Sequence, residues 1–122
     1  MAEGWGPTAA NHALTTEAAI YTWLQLHTAA PGAAGTTAVA GNTTRKQVTW
    51  GTAASGSIPS VTTDLVWTSV STSETYSKHT MWTASTAGTF GWSGSVTANA
   101  VTAGDTFTIP AGSLTASVVL AS

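Results

Sequence analysis

Charged side chains are scarce in this sequence. Only 7% of its 122 residues are Asp, Glu, Lys or Arg, against roughly 25% in ordinary soluble domains. Thr, Ser, Ala and Gly take their place. A free monomer normally keeps more charge to resist association, so this composition is typical of a subunit that stays packed against neighbours. It is equally typical of a secreted β domain, and composition alone leaves both interpretations open.

Fixed positive charge is especially rare. The cations are Arg45, Lys46 and Lys78, and the formal net charge is −2. Binding to nucleic acid through its backbone requires a basic stripe that neutralises several phosphates. Three cations do not supply such a stripe, and we therefore predict no nucleic-acid partner.

Cysteine is absent, which excludes disulfide bonds, a thiolate nucleophile and thiolate metal sites. The histidines, His12, His27 and His79, lie in separate predicted elements and lack the spacing of metal ligands. We therefore predict no metal and no cofactor. The carboxylates are also scattered, so no pair is placed for glycoside hydrolysis. With no nucleophile elbow and no phosphate-binding glycine loop, we predict that the chain is not an enzyme.

Long apolar segments are absent as well. No run approaches the roughly 18–20 apolar residues that span a bilayer. Residues 1–19 lack the basic and apolar regions of a signal peptide. We expect a chain made in the cytoplasm with no membrane partner.

The strongest pattern that is present is a β-hairpin over residues 76–97. Tyr76, Thr80 and Trp82 are an even number of residues apart and share one strand face, and Phe90, Trp92, Gly94 and Val96 do the same on the return. A loop of small residues ending in Gly88 separates the two runs. Gly adopts positive φ at little cost, which favours a tight turn there.

Other alternating segments predict further strands, at 24–28, 45–50, 61–70, 106–109 and 113–121. Residues 8–20 predict a short helix that Thr8 caps, and 51–60 predict a loop. The pattern indicates a mostly β fold, an antiparallel β-sandwich or flattened barrel of about 6–8 strands with a short N-terminal helix and arm. We assign residues 1–10 to the arm and 11–122 to a single β-sandwich domain.

Six tryptophans raise the hypothesis of a carbohydrate-binding site. Five of them lie in predicted strands in register with other apolar residues, and we interpret these as core: Trp23, Trp50, Trp67, Trp82 and Trp92. Trp5 lies in the Gly- and Pro-rich arm. It either folds back onto its own domain or inserts into a neighbouring subunit.

Four segments together resemble a known family. LQLHTAAPGAAG (24–35) resembles the LHTADPG opening of a family of small virion proteins encoded by tailed bacteriophages of actinobacteria. The segments RKQVTWGTAASG (45–56), YSKHTMWTASTAGTFGWSG (76–94) and ANAVTAGDTFTIPAGSLTASV (98–118) follow in that family's order. The chain departs from the family pattern at Ala30 and Thr83, where Asp is common, and at Ala87, where Gly is common.

The resemblance implies a non-enzymatic structural virion protein. Proteins of this family are usually labelled tail fibre or minor tail proteins, and similar small β domains decorate phage heads. Because the chain has no fibrous repeat or coiled coil, we predict a decoration (minor capsid) protein that stabilises the outer surface of the capsid by binding the major capsid protein, with self-association possible. One alternative is a tail fibre or minor tail protein for host attachment. The other is a carbohydrate-binding module for a host surface glycan.

Contacts with a partner are expected outside the predicted core. The candidates lie in the arm and in or directly after the long connector over residues 29–44, which is rich in Ala, Gly and Thr. Such connectors are usually mobile or contact neighbours. The predicted contact residues are Trp5, Pro31, Val39 and Arg45.

Overall fold

A computed structural model describes residues 3–60 and 64–117. The chain runs through one helix and eight strands in these ranges: α1 (Pro7–Ile20), β1 (Trp23–His27), β2 (Lys46–Gln47), β3 (Ser57–Pro59), β4 (Leu65–Trp67), β5 (Glu74–Trp82), β6 (Phe90–Val101), β7 (Phe107–Ile109) and β8 (Thr115–Ser117).

The strands form one larger sheet and two small ones. The larger sheet has the order β2-β1-β5-β6, while β3 pairs with β8 and β4 pairs with β7. Every pairing is antiparallel. Within the described residues the sheets do not close into a barrel. This confirms the predicted mostly β, antiparallel fold with a short N-terminal helix, and the arrangement is sandwich-like.

The predicted hairpin is present as β5 and β6. Trp82 pairs with Phe90 at the start of the ladder, and the turn between them uses positive φ at Gly88 (78°) and Ala87 (55°). Along β6, the predicted inward residues alternate with exposed ones from Phe90 to Val96. The ladder has register shifts between Tyr76 and Lys78 and between Thr80 and Trp82. In both places β6 carries more residues than β5, as in β-bulges.

Two hydrophobic clusters form the core. The first joins β1 and β5 to β4 and β7, through residues such as Leu24, Met81, Trp67 and Phe107. The second joins α1 to the β3–β8 pair through Leu14, Ala18, Ile58 and Ala116. Trp50 and Trp92 pack against both clusters, so these two rings connect the halves of the core.

The helix differs at its start from the prediction. It begins at Pro7 with Gly6 as its N-cap and no side-chain cap, so the prediction of a Thr8 cap is wrong. Proline is favoured in the first helical turn because its missing N–H has no helical partner there. The predicted stripe of Ala10, Leu14 and Ala18 is confirmed as the buried face. Residues 7–10 of the predicted arm are thus helical, and the division into arm and domain stays a prediction.

The shorter strands also differ from the prediction. The strand predicted over 45–50 contracts to β2, and the segment predicted as a loop over 51–60 contains β3. β3 pairs with β8 on one side, and on the other side it has isolated bridges from residues 50–54. Pro59 is tolerated there because its carbonyl accepts from Gly51 N–H at 2.7 Å, a contact that needs no N–H from the proline. Of the strand predicted over 113–121, β8 is described, while residues 118–121 lie outside the described residues.

The segment predicted as a strand over 61–70 is likewise reduced to β4, and residues 61–63 lie outside the described residues. Leu65 and Trp67 are buried on one face and Val66 is exposed on the other, as predicted. Val70 was predicted to share the face of Val66, which is wrong because Val70 is buried. Ser69 has a positive φ of 50°, which turns the chain so that Val70 enters the core.

Candidate functional site

The connector after β1 packs along its own sheet. Thr28 N–H donates to the Ala38 carbonyl at 3.0 Å, and Ala40 N–H donates to the Leu26 carbonyl at 3.1 Å. Through these two bonds, residues 38–40 pair with the backbone at the end of β1. Gly35 has a positive φ of 72°, and a Cβ there would lie 2.6 Å from the Phe90 ring. The connector is therefore fastened to both β1 and the hairpin.

The predicted contact residues of the connector lie in different environments. Pro31 is buried, and its carbonyl accepts a hydrogen bond from Thr37 N–H at 2.9 Å. Val39 forms an isolated β-bridge with His27, and 38% of it is exposed. Contact of either residue with a partner stays a prediction, and Val39 is the more accessible of the two.

Arg45 binds the hairpin turn of its own chain. Its guanidinium donates to the Ala84 and Ala87 carbonyls at 2.8 and 2.7 Å and lies 4.4 Å from the centroid of the Trp82 ring. It also donates twice to Gln25 Oε1, at 3.3 and 3.2 Å. A planar guanidinium suits this combination of stacking and forked hydrogen bonding. The structure thus assigns Arg45 an internal role, and its contact with a partner stays a prediction.

A chain of hydrogen bonds passes through the sheet beside Arg45. His27 Nδ1 lies 2.9 Å from the Thr37 carbonyl oxygen, which only accepts, so Nδ1 carries the proton and donates. The Thr80 hydroxyl then donates to His27 Nε2 at 2.8 Å, and Trp82 Nε1–H donates to Thr80 Oγ1 at 2.7 Å. Burial lowers the pKa of His27. The neutral imidazole is therefore fully paired.

Trp5 is the largest exposed apolar side chain near the helix start, with 49% of its surface accessible. Ile20, at the other end of α1, is exposed to the same extent. Trp5 is therefore half-buried by its own chain and half available to a neighbour, and partner contact through Trp5 stays a prediction.

The other tryptophans divide into two groups. Trp67 and Trp82 are buried, as the core interpretation predicted, whereas Trp23, Trp50 and Trp92 are half-buried. The Trp92 ring packs against Tyr21 and Trp50, with centroid distances of 5.7 and 5.8 Å. Trp92 also lines a cavity.

Three carboxylates hold loops through backbone amides. Asp105 Oδ2 accepts from Thr102 N–H at 2.9 Å and thereby closes the turn that follows β6. Glu74 accepts from Gly41 N–H through both oxygens at 2.8 Å, and Asp64 accepts from Ala111 N–H at 2.9 Å. These acids are occupied in structural bonds.

The cavity that Trp92 lines lies between α1 and the hairpin, and we call it the helix–hairpin cavity. Its volume is about 230 Å³. Its lining comes from α1 (Ala13, Leu14, Glu17), from His79 of β5, from residues 92–94 of β6 and from residues 115–117 of β8. No sequence pattern identifies this group of residues, because its members come from four separated segments of the chain.

His79 is the unusual side chain in the helix–hairpin cavity. It is only 4% exposed, and its Nδ1 has no hydrogen-bond partner in the described structure. Burial, with a smaller effect of the charge on His27, lowers the pKa of His79 to about 4. The ring lies over Gly94, where a Cβ would approach His79 Cε1 to 2.6 Å. The pairing of His79 with Gly94 across the hairpin is the one part of this site that a correct register would have revealed.

Two larger concave regions are also present among the described residues. A groove of about 380 Å³ lies between β6 and β7 and is bordered by residues 95–99 and 107–110. A cleft of about 310 Å³ lies between α1 and Trp50. Neither contains a histidine or a carboxylate, so the helix–hairpin cavity is the region where an aromatic ring and titratable groups converge.

Among residues 3–60 and 64–117, no three His, Asp or Glu side chains come together to hold a metal ion. In the same part of the chain, no helix has the length and apolar character needed to cross a bilayer.

Comparison with known proteins shows which family this chain is similar to. A family model described as podophage GP4 fiber I protein gp80 matches residues 8–117. The match extends over most of α1 and through all eight described strands. No curated protein sequence matches the chain significantly.

Proposed function

Because the chain belongs to the podophage GP4 fiber I protein gp80 family, it is a structural protein of a phage virion, and we propose that it forms part of a tail fibre. The match over residues 8–117 is the observation that carries this proposal. The resemblance to virion proteins found in the sequence agrees with the family at this level. The origin from a phage of actinobacteria stays a prediction.

The family description supports the tail-fibre alternative better than the capsid-decoration prediction. The absence of a fibrous repeat, on which the decoration prediction rested, is compatible with a small domain carried on a longer assembly. We therefore assign the chain to a fibre, and binding to the major capsid protein on the outer capsid surface stays a prediction without support from the family.

The proposed role is mechanical and non-enzymatic. The carboxylates of Asp64, Glu74 and Asp105 are engaged in holding loops. Charged side chains make up only 7% of the sequence, which suits a subunit that binds neighbours through apolar area and shape. Trp5 and Val39, both more than a third exposed, are the predicted contact residues best placed to reach another virion subunit.

The experiment is to locate the protein on purified particles. Antibodies against the folded chain, bound to gold, are imaged by electron microscopy, and the copy number is measured by quantitative mass spectrometry with the major capsid protein as internal standard. A fibre subunit should give label at the tail and few copies, in a multiple set by the symmetry of the fibre. Label spread over the head, with a copy number close to that of the capsid subunit, would overturn the proposal.

A further inference from the structure

We propose that the outer edge of β6 is an interface at which two copies of this chain pair antiparallel, about a two-fold axis near Asn99. β6 is the last strand of the larger sheet, and in the described part of the chain its strand neighbour is β5 alone. With twelve residues it is the longest of the described strands. Its outer side therefore presents a row of backbone N–H and carbonyl groups to a further strand.

The two edges of the larger sheet are protected to different degrees. The opposite edge, β2, has two residues, one of which is Lys46, and Arg45 directly precedes it. Short edge strands and charged side chains commonly prevent pairing between sheet edges. β6 contains neither a charged residue nor a proline. Its β-bulges, which also hinder edge pairing, lie at residues 91–92 and 96–98, so the ladder with β5 is regular again from Asn99 to Val101.

The end of β6 is exposed on both of its faces. Half-buried and exposed residues alternate from Phe90 to Val96, but all four residues over 97–100 are exposed. A strand that covers a core on one face turns every second side chain toward that core. Packing within the domain therefore does not explain why the strand continues through residues 97–100, and a partner strand would supply contacts that this segment lacks.

A groove runs along the same edge. The groove of about 380 Å³ between β6 and β7 is bordered by five consecutive residues of β6, 95–99. A groove on one face of a strand would be bordered by alternate residues, because successive side chains point to opposite faces. The groove thus follows the edge of β6. Its other wall contains Phe107, Ile109 and Leu114, so a strand added here would have an apolar surface beside it.

The chemistry of this edge fits a second copy of the same chain. In a two-fold interface each residue near the axis meets its own copy, so a charged residue there would be repelled. Residues 97–100 carry no charge, and the lining of the groove carries none either. The Asn99 side-chain amide both donates and accepts hydrogen bonds, so two copies of it are complementary. Ala98 and Ala100 on either side leave room for close approach of the two backbones.

The test measures the oligomeric state of the full chain. Edge pairing buries less than the roughly 800 Å² per partner of a standard stable complex, so we expect a Kd of roughly 10–100 µM and follow sedimentation equilibrium from about 5 to 500 µM. The wild-type chain should shift from monomer to dimer as its concentration rises. Asn99→Lys and Asn99→Glu, each measured alone, should stay monomeric. Thr16→Lys, at an exposed position of α1, is the control and should dimerise like the wild type.

Two further measurements test the two-fold arrangement. An equimolar mixture of Asn99→Lys and Asn99→Glu should restore the dimer, because opposite charges then meet at the axis. Since the chain has no cysteine, Asn99→Cys can form a disulfide only between copies, and opposite residues of an antiparallel pair are close enough for one. Mild oxidation should therefore cross-link Asn99→Cys and leave Thr16→Cys monomeric.

The fold of each variant is checked by circular dichroism, and Ala100→Lys, also at an exposed position, replaces Asn99→Lys if that variant is unfolded. Three results would overturn the proposal. The wild-type chain could remain monomeric at the highest concentration. Asn99→Lys could dimerise as strongly as Thr16→Lys, which would place the contact elsewhere. The Lys and Glu variants could remain monomeric when mixed, which would show that Asn99 does not meet its own copy. The interface does not depend on whether the protein lies at the tail or the head.

Discussion

The two buried histidines lie on opposite faces of one sheet. His79 pairs across β1 and β5 with Leu26, the residue next to His27, and successive side chains of a strand point to opposite faces. On the His27 face every polar atom of the His27–Thr80–Trp82 chain has a partner. On the His79 face one ring nitrogen has none in the described structure, and a cavity lies alongside.

This difference distinguishes a fully paired buried histidine from one with an unpaired ring nitrogen. Burial lowers the pKa of both rings, so neither burial nor pKa separates them. The partners do. A fully paired network rigidifies the sheet, whereas an unpaired buried group destabilises the fold. Four predictions test this comparison.

The largest effect is expected on the paired face. Thr80→Val removes one hydroxyl and leaves both His27 Nε2 and Trp82 Nε1 without partners. Each orphaned buried group costs about 1–3 kcal/mol, so the free energy of unfolding should fall by about 4 kcal/mol, measured by urea denaturation. Thr75→Val, at an exposed position of the same strand, is the control and should change stability little. Equal effects of both variants would show that the His27 network contributes no stability.

The second prediction concerns pH on the unpaired face. The folded-state pKa of His79 is about 4, below its ordinary value of 6.5, so the unfolded chain takes up the proton first as pH falls. Stabilisation is therefore complete above about pH 6.5 and is lost between about pH 6.5 and pH 4. The 2.5-unit difference corresponds to about 3 kcal/mol. His27, whose pKa is also lowered by burial, contributes in the same direction.

The measurement compares urea unfolding at pH 7 and pH 4 for the wild-type chain and for His79→Leu. The variant removes the titrating group and should lose most of this pH dependence, while His12→Leu, at an exposed position, should keep it. Glu17 borders the same cavity and Lys78 is the neighbour of His79 in the chain, so Glu17→Gln and Lys78→Met are measured in parallel. An unchanged pH dependence in His79→Leu would assign the effect to other groups.

The third prediction returns to the paired face and to Arg45. Arg45→Met removes the hydrogen bonds to the Ala84 and Ala87 carbonyls and the stacking on Trp82, and should reduce the free energy of unfolding by about 2 kcal/mol. Lys46→Met, at the adjacent position, should cost less than about 0.5 kcal/mol. Thermal unfolding followed by circular dichroism compares the two. If Arg45→Met leaves stability unchanged and instead impairs incorporation into particles, Arg45 acts as the partner contact that the sequence predicted.

The smallest effect is expected from Gly94. Gly94→Ala places a methyl group against the His79 ring and should cost about 1–2 kcal/mol, as overpacking usually does. The cost should disappear when His79 is replaced by Ala, because the collision is then absent. A double-mutant cycle measured in urea isolates this coupling. Additive effects of the two substitutions would show that the ring does not lie over Gly94.

The hairpin and the candidate site differ in how far the sequence predicts them. The alternation of Phe90, Trp92 and Val96 and the turn at Gly88 are local signals, and the structure confirms them. The short strand β3 was not predicted, because proline usually interrupts strands and the segment with Pro59 was therefore assigned to a loop. The helix–hairpin cavity was not predicted, because cross-strand neighbours cannot be found by counting residues from the turn when β6 contains register shifts. His79 and Gly94 are therefore not recognisable as neighbours from the sequence.

The sequence by itself determines the low charge, the antiparallel β character and the resemblance to phage virion proteins, since these depend on composition and on patterns along the chain. Only the tertiary structure distinguishes the two histidines. The helix–hairpin cavity brings together Ala13, Leu14 and Glu17 of α1 with His79 and with residues 92–94 and 115–117. This depends on packing of the helix against β3 and on the register of β6, and no local pattern encodes either. The effect of a buried polar group on stability depends on its hydrogen-bond partners, and contacts between distant parts of the chain decide which partners are within reach.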